Sequence, residues 1–107
     1  MLAGFEVTRA DQAPLQQVTE GITVAMLQEG AADELSAMII EFAPGAAFGE
    51  ETHKKPEILF VLEGEFDDGE RVHRAGTLIT AQEGSVHWPQ SKTGCRLLAL
   101  YPNGPGE

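Results

Sequence analysis

Short apolar runs separated by turn residues set the pattern of this chain. "ITVAML" (22–27) alternates, with Ile22, Val24 and Met26 on one side. "ELSAMIIEF" (34–42) is apolar on both faces, and "EILFVLEG" (57–64) is a continuous apolar run. "TLITA" (77–81), "SVHW" (85–88) and "CRLLALY" (95–101) follow. Each run is short and ends at Gly, Pro, Asp or Asn, which predicts strands of a sandwich or barrel. "DELSAMIIEF" also fits helical spacing through Leu35, Met38, Ile39 and Phe42. Its β neighbours and the β-branched pair Ile39-Ile40 favour strand.

The connections are equally legible. "APGAAFG" (43–49) reads as a loop, and "FDDGE" (66–70) carries the Asp-Gly signal of a hairpin. "HRAGT" (73–77) and "AQEGS" (81–85) each offer a glycine able to take positive φ. "PNGPGE" reads as a tail. No internal repeat, low-complexity segment or linker interrupts the pattern, so residues 1–107 are expected to form one domain with one modest core.

Composition narrows the function classes. Apolar residues make up 42% and charged residues 22% of the chain, as in an ordinary soluble globular protein. No apolar run approaches a membrane span. The N-terminal "MLAGFEVTRADQ" lacks the basic and apolar regions of a signal peptide, and the lone Cys95 cannot form an internal disulfide. Both point to the cytoplasm. The formal net charge of −10 argues against nucleic acid and anionic membranes as partners and favours cations near the surface.

The chemistry gathers in "GEETHKKPEILFVLEGEF" (49–66). Side chains alternate along a strand, so Glu51 and His53 point the same way. Lys54-Lys55-Pro56 makes a turn and Glu57 opens the next strand close to His53. A glutamate at the head of a buried strand costs energy unless something neutralises it. Far along the chain, "EGSVHWP" places His87 after a glycine turn, where a barrel would bring it beside the other three. Two carboxylates and two imidazoles suit a divalent transition-metal ion (Fe, Mn, Zn, Ni or Co). Spacing alone leaves open a surface hairpin with two unrelated histidines.

These residues resemble the cupin superfamily. Its first motif, G(X)5HXH(X)3,4E(X)6G, matches Gly45, Glu51, His53, Glu57 and Gly64 in spacing, with Glu51 where the first histidine is expected. Its second, G(X)5PXG(X)2H(X)3N, matches Gly76, Gln82, Gly84, His87 and Ser91. Here Gln82 replaces the proline and Ser91 the asparagine. The motifs span 45–64 and 76–91. The region "GSVHWPQSKTGCRLLAL" also looks like the branch holding the cupin-like domain of zinc-binding anti-sigma factors and some acetylacetone-type dioxygenases.

The resemblance implies an all-β double-stranded β-helix, or jelly-roll barrel, with one metal ion inside, held by Glu51, His53, Glu57 and His87. It implies either a metal-dependent enzyme acting on a small organic molecule, dioxygenase-like first and otherwise an isomerase, epimerase or lyase, or a non-catalytic small-molecule or metal-sensing module; in the enzyme, Glu57 (or Glu51), once displaced from the ion, is the expected catalytic base. It also suggests a homodimer, with Phe5–Arg9 at the interface. Phe48, Phe60, Met38, Ile40 and Leu98 are expected to line the barrel. Trp88 should face away from the metal, and Tyr101 is a candidate donor to a bound ligand. His73 and the pair Lys54-Lys55 read as solvated turn residues, and Cys95 as a buried small side chain.

Overall fold

Apolar alternation becomes structure as antiparallel strands wrapped around a shared interior. The computed structural model describes residues 2–105. These contain one 3-10 turn (Ala10–Gln12) and nine strands: β1 Leu15–Thr19, β2 Ile22–Gln28, β3 Ser36–Phe42, β4 Glu51–Thr52, β5 Glu57–Asp67, β6 Val72–Arg74, β7 Leu78–Ala81, β8 Val86–His87 and β9 Cys95–Tyr101. A seven-stranded sheet runs β1-β2-β3-β9-β5-β6, with β7 also paired to β5, and β4 pairs with β8 in a separate ribbon. The nearly all-β chain has the jelly-roll architecture expected of it. None of the described residues belongs to a helix long and apolar enough to cross a membrane.

Strand periodicity sorts side chains between the two faces. On β9, Cys95, Leu97 and Ala99 are buried, and so are Glu57, Leu59 and Val61 on β5. Ile22, Met38, Phe42 and Phe66 complete the packing, with Val24 and Met26 against it. Phe42 and Phe66 meet edge to face, 5.9 Å between centroids at 72°, the arrangement their ring quadrupoles favour. "ELSAMIIEF" is strand, not helix. Its two apolar faces have two uses: Met38 and Phe42 join the core, while Ile39 is buried opposite Ala25 and Leu98.

Several expectations give way. Phe60 and Leu98 do not line the interior: they are cross-strand partners on the outer face, Phe60 being 36% exposed. Alternation on β5 requires this once Leu59 and Val61 point inward. β1 carried no apolar period because its five residues are all exposed on an edge strand. Phe5–Arg9 is exposed chain outside any strand.

His73 is not a solvated turn residue. It lies on β6 opposite Phe66, stacked on that ring at 6.5 Å, with Nε2 2.8 Å from Asp68 Oδ2. Lys55 is not merely solvated either. Its Nζ donates to Ala32 O (3.1 Å) and Asn103 O (3.0 Å), tying the β2–β3 loop to the segment after β9.

Candidate metal centre

The site is built where the two short strands meet. Glu51 and His87 are directly opposed in the β4–β8 ribbon. The pairing continues past β4: His53 N donates to Ser85 O (2.9 Å) and Gly84 N donates to His53 O (2.7 Å). Glu57 enters from the first residue of β5, with its side chain pointing inward. A second set of bonds locks the two motif regions together. Gly45 N donates to Ser91 O (2.8 Å), Ser91 N to Ala46 O (3.0 Å) and Ser91 Oγ to Glu65 O (2.5 Å). Ser91, 1% exposed, thus serves as a backbone tie, and what its position needs is a short polar side chain.

Glu51, His53, Glu57 and His87 converge as the spacing predicts. Each offers one ligand-type atom, and all four lie within 4.8 Å of one another, a set able to hold a metal ion. His87 Nε2 is 2.8 Å from Glu51 Oε1 and 2.9 Å from His53 Nε2. His53 Nδ1 is 3.4 Å from Glu57 Oε1. One imidazole nitrogen carries at most one proton, so a single hydrogen bond cannot satisfy both neighbours of His87 Nε2. Glu57 Oε1 is buried with no hydrogen-bond partner at all, which costs free energy. A shared cation answers both problems, so the residues present fit a metal ion.

The electrostatics agree. Burial lowers the His53 pKa, against the pull of the Glu51 charge, and so favours the neutral imidazole that ligates. Burial pushes the Glu57 pKa up to about 7, although the Tyr101 hydroxyl beside it favours the charged form. Burial, and then the Glu57 charge, raise the Tyr101 pKa, so the hydroxyl keeps its proton. Tyr101 was expected to face a bound ligand; it lies beside Glu57 as well as on the cavity wall.

A cavity of about 380 Å³ adjoins the four residues. Met38, Ile40 and Phe48 line it as expected, together with Val24, Leu59 and Leu97, which are not among the residues expected to line the barrel. Alternation on β2, β5 and β9 was the available signal. Trp88 is 46% exposed and is not part of this cavity, and Cys95 is buried, both as expected.

A jelly-roll barrel with a His/Glu cluster on its inner wall defines a cupin. Residues 4–102 match the family model of the ChrR Cupin-like domain, and the chain belongs to that family. Among curated proteins nothing matches the chain. Similar solved structures include Rhodobacter sphaeroides SigE in complex with the anti-sigma ChrR, at 25% identity over 87% of this chain and 50% of that one, TM-score 0.75. This chain therefore spans half the length of that relative. Another is an RmlC-like cupin from Shewanella frigidimarina NCIMB 400, at 25% identity over 91% and 89%, TM-score 0.79. A third is an acetylacetone dioxygenase from Acinetobacter johnsonii, at 18% identity over 95% and 76%, TM-score 0.79; its likeness is one of fold.

Proposed function

We propose that Glu51, His53, Glu57 and His87 hold one divalent transition-metal ion and that the protein is a metal-dependent enzyme acting on a small organic molecule, with dioxygenase-type oxidation the first reaction to test. The carrying observation is the buried Glu57 Oε1, which makes no hydrogen bond, within a His/Glu cluster that opens on an apolar cavity. The bound ion would supply Lewis acidity toward an oxygen atom of the ligand. The protein's residues do the rest. Met38, Ile40 and Phe48 exclude water and shape the space for an apolar body. Glu57, whose pKa burial raises to about 7 in the metal-free site, would serve as the catalytic base when displaced from the ion. The working unit in this reading is one cupin domain (1–107), cytoplasmic and paired as a homodimer. The exposed Phe5 and Val7 support an interface at Phe5–Arg9.

A second reading, a non-catalytic module that senses metal or a small molecule, draws on the family match and on the likeness to the SigE–ChrR structure.

Elemental analysis of tag-free protein beside the His53→Ala/His87→Ala double variant tests the shared core of both readings. Near-stoichiometric metal in the native chain, lost in the variant, is expected; no metal in either would overturn it. Oxygen consumption with small diketones and enols then separates the two. Turnover supports the enzyme, and saturable binding without turnover supports the sensing module.

A further inference from the structure

The charge on the four ligand-type residues has a consequence for what the cavity accepts. Two of them are carboxylates and two are imidazoles. With His53 and His87 neutral and both glutamates ionised, their charges sum to −2, which cancels a dication. A centre with one carboxylate would keep one positive charge. The surroundings do not restore it. Among the described residues lining the cavity, Lys54 carries the one positive charge, and it is exposed, where solvent screens it. The chain as a whole is at −10, which lowers the local concentration of anions. The remaining wall is largely apolar, including Val24, Met38, Ile40, Phe48 and Leu97.

We propose that the loaded site is electrically neutral and selects a neutral, largely apolar molecule with an oxygen donor over a carboxylate of the same shape, with Glu51 as the residue that sets this preference. The inference rests on the metal-holding role proposed above. Glu51 is suited to the part because it is the more exposed carboxylate of the two, 34% against 3% for Glu57, and it lies opposite His87 in the ribbon, facing its Nε2. A ligand that is an enol can still enter: it arrives neutral, and its proton stays on a site carboxylate, so the total charge is conserved.

The test uses the full chain reconstituted with Co(II), its metal content measured first, and two probes of matched shape, acetophenone and benzoate. Binding is followed by calorimetry and by the visible bands of the cobalt. In the native protein acetophenone is expected to bind more tightly than benzoate by about tenfold or more, and Glu51→His, which replaces a charged donor by a neutral one, should reverse or close the gap. Benzoate binding as tightly as acetophenone in a fully loaded native protein would overturn the inference and leave the metal reading standing. So would failure of both probes at millimolar concentration. No retained cobalt would remove the metal reading and this inference with it. If Glu51→His does not fold or does not load, the native pair of affinities decides the matter, and Glu51→Gln supplies the second neutral variant.

Discussion

At the scale of single residues, burial acts strongly on the Glu57 carboxyl. Its pKa rises from 4.5 to about 7 on burial, so below pH 7 a proton competes with any metal for the carboxylate. Metal affinity is therefore expected to fall by about tenfold per pH unit below 7. Competition titrations between pH 5.5 and 8 check this, and Glu57→Gln should flatten the profile while weakening binding. Tyr101→Phe removes a hydroxyl that favours the charged carboxylate. The midpoint of the profile should then move to higher pH. The same shift acts on the metal-free fold. A carboxyl whose folded pKa lies above its unfolded one stabilises most below the unfolded value, and that contribution is lost as pH rises through the folded one. Metal-free protein is expected to lose about 3 kcal/mol from this residue between about pH 4.5 and 7. Urea melts of the native chain and of Glu57→Gln, compared across that window, measure it.

At the scale of elements, the site depends on ties between segments that carry no ligand. Ser91 joins the loop after β3 to the chain after β8, and its hydroxyl is bonded to Glu65 O on β5. Ser91→Ala should cost about 1–3 kcal/mol, because Glu65 O loses a buried partner; the midpoint of urea unfolding reports it. The β5–β6 hairpin braces the segment that carries His87. Asp67 and Gln90 exchange backbone hydrogen bonds, and Trp88 N donates to Asp68 O. Burial alone would raise the Asp68 pKa, but the amides of Arg71 and Glu70 and the His73 ring outweigh it and bring it to about 2. Gly64 closes the first motif at φ 76°, and a Cβ there would collide with Gly94 O. Gly64→Ala is expected to cost several kcal/mol and to lower soluble yield, since both the backbone conformation and the contact oppose it.

Across the whole molecule, the metal and the fold should be thermodynamically linked. An ion that binds only the folded chain adds about 2.7 kcal/mol at a hundredfold excess over Kd, which for a domain of this size raises Tm by on the order of 10 °C. Thermal melts with and without EDTA should show the shift, and the His53→Ala/His87→Ala variant should not respond. Equal melting of native protein in both conditions would argue against a stabilising ion.

Local pattern determined much of this. Short apolar runs between turn residues placed β2, β3, β5, β7, β8 and β9, glycines and Asp-Gly marked the turns, and fixed spacing singled out Glu51, His53, Glu57 and His87, because strand period and turn chemistry act over a few residues. What alternation could not decide was which face points inward. That depended on the partner strand, so Phe60 and Leu98 went to the outer face while Val24, Leu59 and Leu97 walled the cavity. It also could not find β1, whose exposed residues have no apolar period and which exists as an edge paired to β2. His73 meets Asp68 and Phe66 within the β5–β6 hairpin, whereas long-range contacts alone set Lys55 across two loops and Tyr101 beside Glu57. Those environments arise only when segments distant in the chain exclude water together. The candidate ligands were therefore legible in one dimension, while their charge states and the shape of what they face belong to the folded barrel.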